Sequence, residues 1–181
     1  DYLPTATPDE LRHIHETTDQ IIPGWLDQMD AARDDAIGIA PATCEWDGDP
    51  TGIPASVAAV PAWLRTSATE ALARYVVGRS TTCLHNPDSS RPQPVAAAAW
   101  RPGLVTCMRC MGRHFHVSGR RGQTCDGCGR ADDTGGIHAG RLVVGPVLFM
   151  FGVCQECRGD LPEEETAGAP ASEGNRFTDD I

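Results

Sequence analysis

Four pairs of side chains that bind soft metal ions lie within one stretch of the chain, between positions 83 and 157. Cysteine thiolates and histidine imidazoles are preferred ligands of Zn²⁺, and a Cys-x-x-Cys knuckle can direct both sulfurs at one ion. The pairs are Cys83 with His85, Cys107 with Cys110, Cys125 with Cys128, and Cys154 with Cys157. Because a closed structural zinc site takes four ligands, these residues predict two structural zinc ions.

The order of the pairs leaves three groupings open, all with the same eight ligands. The sequential grouping, which we favour, joins the first pair to the second and the third to the fourth. The nested grouping makes a zinc ribbon of the two middle pairs, and a RING-like cross-brace alternates the pairs. Four further residues are expected to lie outside the sites. These are Cys44, His114, His116 and His138.

The last two pairs contain a Cys-x-x-Cys-Gly knuckle, an apolar run around Gly145-Pro146 and the sequence Cys154-Gln155-Glu156-Cys157. With these motifs, residues 125–157 resemble the zinc-binding domain at the N-terminus of the ClpX unfoldase. The resemblance implies a treble-clef fold with one zinc ion on these four cysteines, and adaptor-type protein binding or dimerisation. The resemblance covers 33 of the 181 residues, and no ATPase module follows them.

Two complete ligand sets argue against zinc catalysis, because a catalytic zinc keeps one position open for water or substrate. The zinc-deaminase signature is also missing. No glutamate lies between Cys83 and His85, and Thr106 precedes Cys107 where that signature has proline. No P-loop, Rossmann or nucleophile-elbow motif occurs. We therefore expect the protein not to be an enzyme.

Two helices are predicted upstream of the ligands. Apolar residues at three- and four-residue steps predict a helix from Pro8 to about Ala32, with a kink or restart at Pro23-Gly24. The aperiodic residues 36–54 predict a loop, and a second helix is expected from Pro61 to Val77. We expect the two helices to pack together as an antiparallel unit. Trp63 or Trp100 would join that unit to the zinc region.

Short strands are predicted around the ligands. Residues 104–106 should enter the first knuckle as a strand, after a mostly extended segment at 84–102. Residues 114–117 alternate and predict a strand that returns through a turn at 119–122, and residues 141–144 and 147–153 predict a hairpin. The fold class is therefore small α+β, with an N-terminal helical segment before a two-zinc treble-clef or zinc-ribbon region. The predicted divisions are 1–80, 81–160 and an acidic, disordered tail at 161–181.

The net charge of −10 is unevenly distributed. Residues 1–78 carry −9, residues 79–158 carry +5 and residues 159–181 carry −6. The cysteines are spaced as metal ligands, which must be free thiols and therefore indicate a reducing compartment. We find no signal peptide and no apolar run long enough to span a bilayer. We therefore predict a cytoplasmic protein that does not enter a membrane.

The function we expect is a protein-interaction module, an adaptor or regulator whose zinc scaffold presents Phe149 and Phe151. The alternative is a nucleic-acid-binding zinc finger that uses an arginine-rich hairpin at 113–121. Its contacts would be Arg113, Phe115, Arg120 and Arg121, an aromatic ring among cations. The overall negative charge opposes this alternative, because it repels phosphates at long range.

Overall fold

The computed structural model describes residues 16–18, 20–40, 57–132 and 136–162, together with His13. Its helices are α1 (Trp25–Ile39), α2 (Ala62–Val76), α3 (Met111–Phe115) and α4 (Gln155–Arg158). Short 3₁₀ helices span Val57–Ala59, Met108–Cys110 and Gly119–Gln123. The strands are β1 (Thr81–Thr82), β2 (Val95–Ala98), β3 (Leu104–Cys107), β4 (His138–Val144) and β5 (Val147–Val153).

The five strands form one mixed sheet in the order β1-β3-β2-β5-β4. Strands β4 and β5 form an antiparallel hairpin, and Gly145 in its turn has a φ of 52°, a conformation in which glycine is favoured. Strand β2 pairs in parallel with β5 and antiparallel with β3, while β1 pairs in parallel with β3. The sheet therefore joins the segment that carries the first two ligand pairs to the segment that carries the last two.

Helices cover both faces of the sheet. On one face, Leu64, Ala68 and Tyr75 of α2 pack in the same cluster as Phe149 and Phe151 of β5. Alternate strand residues point to the other face, where α1 packs on Val143 and Leu148 and α3 packs on Ala96 and Ala98. The prediction that the two long helices form their own antiparallel unit is wrong, because each of them buries its apolar side against a different face of the sheet.

The long helices otherwise follow the sequence pattern. The chain is helical at residues 16–18, turns at 22–24 and restarts at Trp25, as the Pro23-Gly24 pair predicts. Gly24 has a φ of 71° at this restart. Helix α2 lies within one residue of each predicted end. The loop predicted from residue 36 begins too early, because α1 continues to Ile39 and buries Ala36 and Ala40.

Two segments between residues 81 and 160 differ from prediction. Residues 114–117, predicted as a strand, form none: His114 and Phe115 end helix α3, which follows directly from the 3₁₀ helix at Met108–Cys110, and residues 116–117 lie beyond it. The predicted return turn is likewise a 3₁₀ helix, so the arginine-rich hairpin does not exist. The extended segment before Pro102 contains β2, a wholly buried strand at the middle of the sheet that the sequence pattern does not predict.

The hydrophobic core crosses the predicted boundary at residue 80, because α2 and the sheet share one cluster. The predicted loop at 41–54, Cys44 and nearly all of the tail at 161–181 lie outside the described residues. Within the described ranges, none of the helices has the length and apolarity needed to cross a bilayer.

Candidate metal centres

The first two ligand pairs meet at the edge of the sheet formed by β1 and β3. Thr82 pairs with Val105, and this parallel register brings Cys83, just after β1, next to Cys107 at the end of β3. The two sulfur atoms lie 3.8 Å apart. His85 points Nδ1 into the group, 3.5 Å from Cys107 Sγ and 3.2 Å from Cys110 Sγ. We call this group the Cys₃His cluster.

The last two pairs meet beyond the end of the β4–β5 hairpin. Cys125 and Cys128 form a tight knuckle in which Gly129 donates its N–H to the carbonyl oxygen of Cys125 at 2.9 Å. Cys154 follows β5 and Cys157 lies in α4, an arrangement that brings Cys128 Sγ within 3.9 Å of Cys154 Sγ. We call this group the Cys₄ cluster.

Both clusters have dimensions that suit tetrahedral zinc. In each, the four ligand atoms lie within 4.8 Å of one another. Zinc–sulfur bonds of about 2.3 Å in a tetrahedron place two sulfurs roughly 3.8 Å apart, close to the distances found here. A disulfide requires about 2.05 Å, and the seven cysteines in the described ranges are all free thiols. The two groups can therefore bind metal, and the sequential grouping is the one that the fold produces.

Each cluster contains one cysteine whose pKa is lowered and one whose pKa is raised. Burial disfavours the Cys83 thiolate, but backbone N–H groups of Cys107 and His85 outweigh it and lower the pKa of Cys83 to about 7. A hydrogen bond from the Arg130 side chain lowers the pKa of Cys128 to about 6. Desolvation and neighbouring thiols raise the pKa of Cys110 to about 11 and that of Cys157 to about 12. A bound dication would relieve this crowding of negative charge.

His114, His116 and His138, which are predicted to lie outside the sites, belong to neither cluster. His138 Nδ1 lies 3.2 Å from the Arg158 guanidinium. His114 and His116 lie at and just beyond the end of α3.

Some of the side chains predicted to contact a partner are buried or already paired in the structure. Arg113 and Arg120 are exposed, and Arg121 pairs with Asp126 at 3.3 Å. Phe115 is only 3% exposed and packs edge-on against Trp100, so its ring is not available to stack on a base. Phe149 and Phe151 are each 2% exposed and belong to the core under α2. The prediction that these two rings form a presented surface is wrong.

Two residues next to the Cys₄ cluster, Asp126 and Arg130, are not predicted from the sequence. Asp126 lies inside the knuckle and hydrogen-bonds to Gly152, while Arg130 donates to Cys128 Sγ at 3.5 Å and contacts Glu156. Trp63 packs over the knuckle at Gly127. The sequence signal for both residues is their position. Asp126 lies between Cys125 and Cys128, and Arg130 lies two residues after Cys128. The sequence predicts Trp63 as a joining residue but does not predict that Trp63 contacts Gly127.

Comparisons of the chain with known protein families, with curated proteins and with solved structures found no match. The order of knuckle, hairpin and Cys-x-x-Cys turn in residues 125–157 is present, and α4 after it spans four residues. The treble clef and the resemblance to the ClpX domain stay predictions.

Proposed function

We propose that this chain is a zinc protein in which two closed structural sites brace a small α/β fold. The observation that carries the proposal is the meeting of eight ligand side chains in two groups of four, each spanning no more than 4.8 Å. Seven of the eight ligands are thiols, and sites rich in cysteine with imidazole as the remaining donor are typical of structural zinc. The composition of the ligand sets, rather than any relative, supports zinc over harder cations.

We further propose that the two sites do no chemistry. Four protein ligands complete the tetrahedron in each cluster, which leaves no position for a substrate or an activated water. Thiolates also donate charge to the ion and weaken it as a Lewis acid.

The bracing role has a clear energetic basis. Structural zinc contributes apparent binding free energies of about 10–16 kcal/mol at neutral pH, whereas a whole domain is stable by about 5–15 kcal/mol. The Cys₃His cluster holds β1, only two residues long, against β3. The Cys₄ cluster fixes the end of β5 to the knuckle and α4. The ions would therefore stabilise the two ends of a sheet whose central strand is mostly alanine.

Counting zinc in the purified protein tests this proposal. Native mass spectrometry should find two ions per chain, and double variants of one cluster should lose one ion. Cys107→Ser with Cys110→Ser would remove one ion, and Cys125→Ser with Cys128→Ser would remove the other. A well-folded protein without metal would reject the assignment, and so would a quadruple variant of Cys107, Cys110, Cys125 and Cys128 that still holds one ion.

The partner we propose is another protein. The support is the strongly acidic chain and an exposed apolar side chain beside a candidate metal site: Leu84, between Cys83 and His85 of the Cys₃His cluster, is fully exposed. Leu84→Ser, with Val77→Ser as a matched exposed control, should abolish capture of a partner without changing zinc content.

One observation favours nucleic acid as a second candidate. Residues 89–125 contain six arginines and two histidines but no acidic residue, and the exposed Arg109 and Arg113 lie four positions apart. Titrating binding to random DNA against salt decides between the two partners, because each phosphate contact contributes about −0.9 to the slope of log K against log salt. Submicromolar binding with a steep slope, lost in Arg113→Ala/Arg120→Ala but kept in Arg33→Ala/Arg65→Ala, would establish the second candidate.

A further inference from the structure

Strand β5 continues beyond its neighbour β2. The last paired residues are Ala98 of β2 and Met150 of β5, and Ala99 donates its N–H to the Met150 carbonyl oxygen at 2.9 Å. In a strand, backbone groups two residues apart point the same way. The N–H and C=O of Gly152 therefore face the side where β2 has ended, and they require partners from elsewhere.

Asp126 supplies both partners. Its backbone N–H donates to the Gly152 carbonyl oxygen at 2.7 Å, and its Oδ2 accepts the Gly152 N–H at 2.7 Å. Its other carboxylate oxygen, Oδ1, lies 3.3 Å from the Arg121 guanidinium. The Asp126 side chain is only 6% exposed, so these groups hold it in one place. A single residue therefore continues the hydrogen bonding that β2 leaves unfinished.

The position of this bridge matters for the Cys₄ cluster. Asp126 lies inside the Cys125–Cys128 knuckle, and Gly152 lies two residues before Cys154. The bridge consequently joins the two halves of the cluster through the backbone, independently of any bond made by the sulfur atoms. Gly152 itself lies in a confined position, since a β-carbon added there would lie 2.9 Å from Ile137 Cγ2 and 3.7 Å from Asp126 Oδ2.

We infer that Asp126 is a positioning residue that brings the two halves of the Cys₄ cluster into register for metal, in place of strand β2. The inference rests on the proposed zinc sites and names a residue outside their ligand sets. Outer residues that orient metal ligands commonly change metal affinity roughly 10- to 100-fold when they are removed. The Cys₃His cluster, on the far edge of the sheet, provides an internal reference within the same molecule.

Competition with a chelator, read out by native mass spectrometry, tests this role. The cadmium-loaded protein studied by ¹¹³Cd NMR shows which site is emptied, since Cys₄ and Cys₃His sites give separate resonances. Asp126→Ala should weaken binding at the Cys₄ site by 10- to 100-fold and leave the Cys₃His site unchanged. Asp126→Asn keeps an oxygen that accepts the Gly152 N–H and should stay close to wild type. Asp34→Ala, an exposed position on α1, is the matched control.

Three results would overturn the inference. Asp126→Ala could hold metal as tightly as wild type, or weaken both sites equally, which would indicate general destabilisation. If the alanine variant does not fold, Asp126→Asn decides, because loss of the Cys₄ resonance in that variant also contradicts the inference. A wild-type protein that takes up no metal is a different result, which rejects the proposed zinc sites themselves.

Discussion

The indole ring of Trp63 lies directly over Gly127, the third residue of the Cys125–Cys128 knuckle. A β-carbon added to Gly127 would lie 3.2 Å from Trp63 Cε2, closer than an ordinary contact. The same indole packs edge-on against Phe151, with ring centroids 5.9 Å apart. Helix α2 is thereby in contact with both the knuckle and the core strand that leads to Cys154.

Gly127→Ala should destabilise the protein through this contact. A shift of the indole would disturb its contact with Phe151, so we expect a loss of about 1–2 kcal/mol, within the usual range for overpacking. Urea unfolding of the zinc-loaded protein measures the change. Gly112→Ala is the control, since an added β-carbon there meets no atom within 4 Å and alanine favours helix α3. Equal stability of the two variants would show that Trp63 does not constrain the knuckle.

Gly140→Ala should be more damaging than Gly127→Ala. An added β-carbon would lie 2.3 Å from Phe151 Cε2 and 2.4 Å from Phe151 Cζ, inside van der Waals contact. Phe151 cannot swing away because it is buried beneath α2 and packed on Trp63. We expect a loss of about 3 kcal/mol, at the upper end for overpacking. Thermal unfolding measures it. A shift no larger than that of Gly38→Ala, where space is open, would contradict the packing described.

Removal of the metal should unfold the sheet and not merely loosen the loops. Both ends of the sheet depend on a cluster, and zinc binding supplies free energy comparable to the stability of a whole domain. Far-ultraviolet circular dichroism during titration with a strong chelator should therefore show loss of strand signal, restored by added zinc. A chelated protein that keeps its circular dichroism and its melting transition would show that the clusters are dispensable for folding.

Acidification should release the metal. In the bound state all cysteine ligands are thiolates, so their pKa values lie below those of the unfolded chain, and the resulting stability is lost as pH falls through the bound-state values. Even without metal, the hydrogen bond from the Arg130 side chain lowers the pKa of Cys128 to about 6. Zinc occupancy measured from pH 8 to pH 4 should decrease toward the acidic end, where protons compete with the ion for the thiolates, and Arg130→Ala should shift release from the Cys₄ cluster to higher pH. Full occupancy at pH 4 would contradict this expectation.

The ligands could be predicted from sequence because their chemistry is local. Cys-x-x-Cys spacing selects a knuckle whatever surrounds it, and the order of knuckle, hairpin and Cys-x-x-Cys pair in residues 125–157 favours the grouping that the fold produces. Helix α2 was equally readable, since its buried face repeats at helical spacing. Both predictions depend on residues only a few positions apart.

The sheet could not be predicted in the same way because its evidence is distant in sequence. Strand β2 reads as an alanine run among prolines, with little intrinsic strand preference. It becomes a strand because β3 and β5 pair on either side of it. Conversely, the alternation at 114–117 favours a strand, yet Phe115 is buried as the end of α3 against Trp100. The roles of Asp126 and Phe149 depend on the same tertiary arrangement.

Zinc stoichiometry in the folded chain tests the central claim most directly. Native mass spectrometry of purified protein, with loading confirmed by elemental analysis, should find two zinc ions per chain. Each ion should disappear with one sequential set of four ligands. A folded, monodisperse protein with no metal would contradict the account, and so would one whose ion binds an exchangeable water in place of a fourth protein ligand.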